Sequence, residues 1–365
     1  MFFTLGLTAD TRLPHHEKLG KWVFSHDDGW HKQGQDWYKG YSDCWTRIVA
    51  DNNNFRLEHD ACRAYPLWWD RDTRTLTNLL GSGEHIWSDQ QVGITQGKLE
   101  LTAVPIPYGT ISTDTVSLDE AAHTIINSLI NKLHRMPDLP ARLFVTGGVD
   151  TALLYALVRD QRVPCEIVTR EHIEYDAFID KNFDAIKRQH WGYTQIHHWR
   201  DPCMLLTGSC GDEFFMRGPN TVALWAAWHD INLPDLIKSS TGYHSAYFSK
   251  PQNMAVFDQG YLNRHLIKQQ YPTYADLVKH ILEINYNDHQ FWHLGNTLTW
   301  APFRDLELTK VVLQMSPEDM LGQVLDARLN RRMIELLWPR AQDYISTFKN
   351  KNNRENLYLL YQDLG

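Results

Sequence analysis

Apolar positions in the first hundred residues fall in short runs with strand character: Phe55-Arg-Leu-Glu-His59, Ala64-Tyr-Pro-Leu-Trp-Trp69, Thr75-Leu-Thr-Asn-Leu-Leu80 and Leu99-Glu-Leu-Thr-Ala-Val104. They are rich in β-formers and separated by Asp, Asn and Gly, which predicts strands joined by tight turns. The texture changes across Gly109 to Ser117, where Pro105, Pro107, Gly109 and a Thr/Ser run mark a break. Beyond it, Ser117-Leu-Asp-Glu120 is a capping box, and Ala122, Ile125, Ile126, Leu129, Ile130 and Leu133 share one helical stripe. Strand Leu143 to Val145, helix Asp150 to Arg159, strand Cys165 to Thr169, helix Tyr175 to Gln189 and strands Gln195 to Trp199 and Cys203 to Thr207 follow. Such alternation predicts a parallel sheet of α/β type, with ligands at the carboxyl ends of its strands. From about Asp212 the pattern is mostly helical, over Thr221 to Asp230, Tyr274 to Ile284, Leu306 to Gln314 and Asp326 to Leu337. The expected organisation is a smaller β-rich domain over residues 1–115 and an α/β domain with a helical carboxyl-terminal part over 116–365.

Two strand ends carry chemistry. The first strand runs into Thr146-Gly147-Gly148-Val149-Asp150-Thr151 and then a helix. Glycines let the backbone approach a ligand, the helix start offers unpaired N–H groups, and Thr146 and Thr151 add hydroxyls, all suited to phosphate. Asp150 beside phosphate calls for a divalent cation between them. Neither Gly-x-x-x-x-Gly-Lys-Ser/Thr nor Gly-x-Gly-x-x-Gly is present, which removes the Walker and dinucleotide readings. The second strand ends in Thr207-Gly208-Ser-Cys-Gly-Asp212-Glu213. Asp150 and Asp212, at the ends of two parallel strands, could share Mg2+.

At these motifs the chain resembles a known family. Thr146 to Thr151 is similar to the Ser-Gly-Gly-x-Asp-Ser loop of N-type ATP pyrophosphatases, and Gly208 to Phe215 to the Ser-Gly-x-Gly-Ser-Asp-Glu-Leu-Phe element of asparagine synthetases and beta-lactam synthetase. Ala301-Pro-Phe-Arg-Asp305, Met315 to Leu321 and Asn330-Arg-Arg332 resemble later segments of the same enzymes, so the likeness spans roughly Ser117 to Lys351. It implies a parallel-sheet ATP pyrophosphatase domain that takes ATP and Mg2+. The implied reaction adenylates a carboxylate, releases pyrophosphate, and forms an amide with an amine or ammonia. The nucleotide would meet Thr146, Gly147, Gly148, Asp150, Thr151, Thr207 and Gly208, with adenine near Val168; Asp150 and Asp212 would hold the metal, and Glu213 and Arg328 would be catalytic.

Departures from the family narrow this. Phe55 to Asp70 resembles part of the β-sandwich of a glutaminase (Ntn-type) domain, but position 2 is Phe2 and the first cysteine is Cys44, so glutamine hydrolysis by an amino-terminal cysteine is not expected. Ser209 stands where the family has a Glu or Tyr used in amine attack; the family's Lys, four residues before an Arg, falls on Arg328 counting from Arg332 or on Ala327 counting from Arg331, and a guanidinium can stabilise anionic charge but not shuttle a proton. The expectation is a ligase for a substrate other than aspartate. The alternative is a nucleotide-binding pseudoenzyme or partner subunit.

Bulk properties change the picture little. A net charge of -8 disfavours nonspecific nucleic-acid or anionic-membrane binding, leaving small-molecule carboxylates and amines as the expected partners. Five scattered cysteines without Cys-x-x-Cys spacing suggest neither a disulfide framework nor a zinc site, and no stretch resembles a signal peptide or membrane span, so a cytoplasmic location is expected. His289 and His293 have i,i+4 spacing but lack a metalloprotease Glu, and packing is the reading preferred for them.

Overall fold

The structure is a computed structural model, and it describes residues 3–26, 30–41, 44–51, 54–59, 67–77, 84–86, 90–103, 106, 108–136, 140–145, 149–169, 203–208, 210–242, 245–288 and 297–339. Its amino-terminal part is all antiparallel. One six-stranded sheet contains β1 (Phe3–Gly6), β2 (His15–Leu19), β3 (Trp22–His26), β8 (Leu67–Asp70), β9 (Thr75–Thr77) and β10 (Glu84–Ile86), in the order β10-β8-β9-β1-β3-β2. The other contains β4 (His31–Gln33), β5 (Asp36–Tyr41), β6 (Cys44–Asp51), β7 (Asn54–His59), β11 (Gln90–Thr95) and β12 (Lys98–Ala103), in the order β12-β11-β7-β6-β5-β4. Alternation along the strands turns Phe3 and Leu5, Trp22 and Phe24, Phe55 and Leu57, and Val92 and Ile94 into one shared core. Rings meet across the two sheets, Trp22 on Phe55 at 5.7 Å and Phe24 on Trp37 at 5.3 Å between centroids.

A separate core surrounds a parallel sheet. Helix α1 (Leu118–Leu133) starts at the expected capping box, where the Ser117 hydroxyl accepts from Glu120 N at 3.3 Å and Glu120 accepts from Ser117 N at 2.8 Å. Its stripe buries Ala121, Ala122, Ile125, Ile126, Leu129 and Leu133. Strand β13 (Ala141–Val145) leads to α2 (Val149–Asp160), then β14 (Cys165–Thr169), and later β15 (Cys203–Leu206) and β16 (Thr297–Trp300). The order is β14-β13-β15-β16, and each neighbouring pair is parallel. The helices between and after are α3 (Gly211–Phe214), α4 (Pro219–Trp228), α5 (Leu233–Ser239), α6 (Ser245–Phe248), α7 (Pro251–Leu262), α8 (Arg264–Gln270), α9 (Tyr274–Asp288), α10 (Leu306–Leu313), α11 (Pro317–Asp326) and α12 (Arg328–Leu337). Helix α12 packs on both α1 and α2, and Arg332 of α12 pairs with Asp119 at the start of α1 at 2.7 Å. Among the described residues, no helix is long and apolar enough to cross a membrane.

The stretch between the two parts is pinned. Lys310 Nζ of α10 donates to the carbonyls of Tyr108 (2.8 Å) and Thr110 (3.3 Å), and Val116 N donates to the Gln314 carbonyl at 3.0 Å. The Tyr108 hydroxyl also donates to Glu283 of α9.

The chain beyond Asp212 is mostly helical as expected, with one short strand, β16, that extends the sheet next to β15. The helix expected over Asp326 to Leu337 is α12, which begins two residues later at Arg328, because Ala327, in the left-handed region at φ 52 and ψ 40, separates it from α11. The amino-terminal part holds more strands than the four runs expected, including β1 inside the first sheet, between β9 and β3. The expected helix Tyr175 to Gln189 and strand Gln195 to Trp199 lie outside the described residues.

Candidate functional site at the ends of two parallel strands

Strands β13 and β15 are neighbours in the sheet, and the start of α2 meets the residues that follow β15. They meet closely: a Cβ on Gly208 would lie 3.0 Å from Thr151 N and 3.1 Å from the Asp150 Cβ. A Cβ on Gly211 would lie 2.4 Å from Asp150 Cγ. The second loop therefore needs glycine at Gly211 chiefly so that the carboxylate of Asp150 can lie against the start of α3. Thr151 and Thr207 are buried on either side, and Thr207 N donates to the Trp300 carbonyl at 3.0 Å, tying the second loop to β16.

Asp150 lies in the first turn of α2, where the helix dipole favours an anion. Its Oδ1 accepts from Nη2 of Arg217 and from Nδ2 of Asn330 at 3.0 Å. Arg217 is only 1% exposed and spans two acids, because its Nη1 lies 3.0 Å from Asp212 Oδ1. Asp212 is half-exposed at 53%. Burial pushes the Asp150 carboxyl up to about 7; Arg217 opposes this, while the nearby charges of Asp212 and Glu213 add to it.

A buried amide network holds this arrangement. Gln323 of α11 donates through Nε2 to the Asn330 side-chain oxygen (2.7 Å) and the Phe215 carbonyl (3.0 Å), and its Oε1 accepts from Leu329 N at 2.9 Å. Asn330 in turn faces Asp150. Helix α3 is one turn long, and three other helices hold the carbonyls at and just past its end: Asn285 of α9 donates to Glu213 O at 3.2 Å, Thr309 of α10 to Phe214 O at 3.0 Å, and Gln323 of α11 to Phe215 O. The acid-bearing loop is clamped on three consecutive residues.

The other expected residues are distributed as follows. Glu213 is the third residue of α3, half-buried, and close enough to influence Asp150. Val168 belongs to β14 and pairs with Phe144 in β13. Arg328, expected to be catalytic, folds back over α11: its Nη1 lies 3.9 Å from Asp319, and a Cβ on Gly322 would sit 2.5 Å from its Nε. The residue of α12 that bonds to Asp150 is Asn330. Thr146, Gly147, Gly148, Ser209, His289 and His293 lie outside the described residues. Arg217 and Gln323 carried no signal in the sequence, since their partners are known only once the chain is folded.

The described donors do not fit a resident divalent ion. Mg2+ requires near-octahedral oxygen coordination. Here Asp150 and Asp212 both direct Oδ1 at Arg217, and Asp150 Oδ1 receives a second N–H from Asn330. Among the described residues no group of three or more His, Cys, Asp or Glu could hold a metal. No protein-family model and no curated protein sequence matches this chain.

Proposed function

We propose that the protein is an ATP-dependent ligase resembling the asparagine synthetases, which activates a small carboxylate and joins it to an amine or ammonia. The observation that carries the reading is the meeting of the Asp150–Thr151 turn with Thr207, Gly208 and Gly211 at the ends of adjacent parallel strands. In this reading ATP is taken as its magnesium complex, and its phosphates lie over the start of α2. The substrate carboxylate attacks the α-phosphorus, the bond to the β-phosphate oxygen breaks, and pyrophosphate leaves. The amine then attacks the acyl carbon and AMP departs. Asp150, through Arg217 and Asn330, fixes the shape of the phosphate-facing turn. Turning the α-phosphate into the electrophile in this way requires the departing charge to be held in a preorganised site.

The test is pyrophosphate release from ATP and Mg2+ across a panel of carboxylates with ammonia or simple amines. Release that depends on one carboxylate and is abolished in Asp150→Asn supports the ligase. A second reading, nucleotide binding without turnover, is favoured by the pairing of both acids with Arg217. ATP binding with no release across the panel selects it.

A further inference from the structure

Among the described residues, the site has a cation of its own. Arg217 reaches Asp150 with one terminal nitrogen and Asp212 with the other, the geometry in which a guanidinium bridges two carboxylates. It cannot easily swing aside, since its side chain is 1% exposed and Phe214, Phe215 and Met216 beside it are fully buried. The Asp150 oxygen facing it receives two N–H donors, from Arg217 and Asn330, which occupy both lone pairs of Oδ1, the oxygen turned towards the cation it shares with Asp212. The Asn330 amide is itself oriented by Gln323, so that donor is fixed too.

We propose that Arg217 is the resident cation of the Asp150–Asp212 pair, occupying the position between the acids that a bridging divalent ion would take, so that the pair binds no free Mg2+ or Mn2+. The assignment concerns the nucleotide-free protein and stands apart from the ligase reading. A dication entering beside a buried guanidinium would bring like charges together where little water screens them. Arg217 is thus a positioning residue, which acts on the turn through Asp150.

The experiment is a titration of the full-length protein with Mn2+, without nucleotide, followed by the electron paramagnetic resonance signal of the free ion. The wild type is expected to show no Mn2+ binding that Asp150→Asn removes. Arg217→Gln, where folded, is expected to bind one Mn2+ at least about tenfold more tightly than the wild type, and Asp150→Asn/Arg217→Gln to lose that ion. One Mn2+ on the wild type that disappears in Asp150→Asn overturns the assignment. A folded Arg217→Gln with no gain over the wild type also overturns it. If Arg217→Gln does not fold, the wild type against Asp150→Asn decides alone. Pyrophosphate release is measured separately, so failure of the ligase reading leaves this result intact.

Discussion

The two cores of this protein solve different problems. In the antiparallel sandwich the buried polar side chains are Thr4, Ser25, His26, Thr46 and Thr77, and the bulk of the core is rings, among them Phe3, Trp22, Phe24, Trp30 and Trp37. Around the parallel sheet, Arg217, Arg304 and Lys310 are buried alongside Asn253, Asn285, Gln323 and Asn330. Burying a charge carries a desolvation penalty that the ion pair only partly repays. A core that could have been filled with apolar side chains, as the first one is, therefore gains nothing in stability from Arg217. The charged groups have separate tasks: Arg217 holds two acids at the ends of β13 and β15, and Lys310 holds the stretch ahead of α1.

The comparison can be broken most forcefully at Arg217. Arg217→Met leaves Asp150 buried without its cation and is expected to cost about 4 kcal/mol in urea denaturation, most of which Asp150→Asn/Arg217→Met should recover. A cost near zero would remove the claim that the pair is tightly coupled. In the sandwich, Phe24→Ala is expected to cost about 3 kcal/mol through the cavity it leaves beside Trp30 and Trp37 and, under the proposed function, to leave the nucleotide affinity of the folded protein unchanged. A loss of affinity there would mean the two cores are not functionally separate. Gln323→Leu strips partners from the Phe215 carbonyl, Asn330 and Leu329 N, and a loss of about 2 kcal/mol is expected. Equal stability of the Leu variant would show that the amide network is dispensable.

The smallest effect lies in the sandwich. Asp10 accepts from Arg12 Nε at 2.9 Å and from the Thr4 hydroxyl at 3.0 Å, and the Arg12 hydrogen bond lowers its carboxyl from 3.8 to about 2. Because the folded value lies below the unfolded one, the stabilisation is fully present above about pH 4 and lost as the pH falls towards 2. Asp10→Asn is expected to cost about 1 kcal/mol at neutral pH, with the difference from the wild type closing over that acid window. A difference that stays constant down to pH 2 would assign the effect to packing.

Local signals in the sequence carried well where the structure is local. The Ser117–Glu120 box and the α1 stripe need only neighbours on one helix, and both are present as expected. Strand β16 was not legible, since Thr297-Leu-Thr-Trp300 is only four residues long in a stretch of helical texture. The break at Ala327 runs against propensity, because alanine is the best helix former and pays to enter the left-handed region. Tertiary contacts impose it: Gln323 and Asn330 would stand about 10 Å apart along an unbroken helix, and the turn brings their amides to 2.7 Å. In the site, both glycine-and-acid motifs were visible in the sequence, and Asp150 and Thr151 of the first do lie against Gly208 and Gly211 of the second. Arg217 was invisible because its partner Asp150 is 67 positions away.

The pinned stretch ahead of α1 has a mechanical consequence. Lys310 grips the carbonyls of Tyr108 and Thr110, and its neighbour Thr309 holds the Phe214 carbonyl of the acid loop. Two adjacent residues of α10 thus hold the stretch ahead of α1 and the acid loop that carries Asp212, so one helix sets the position of both.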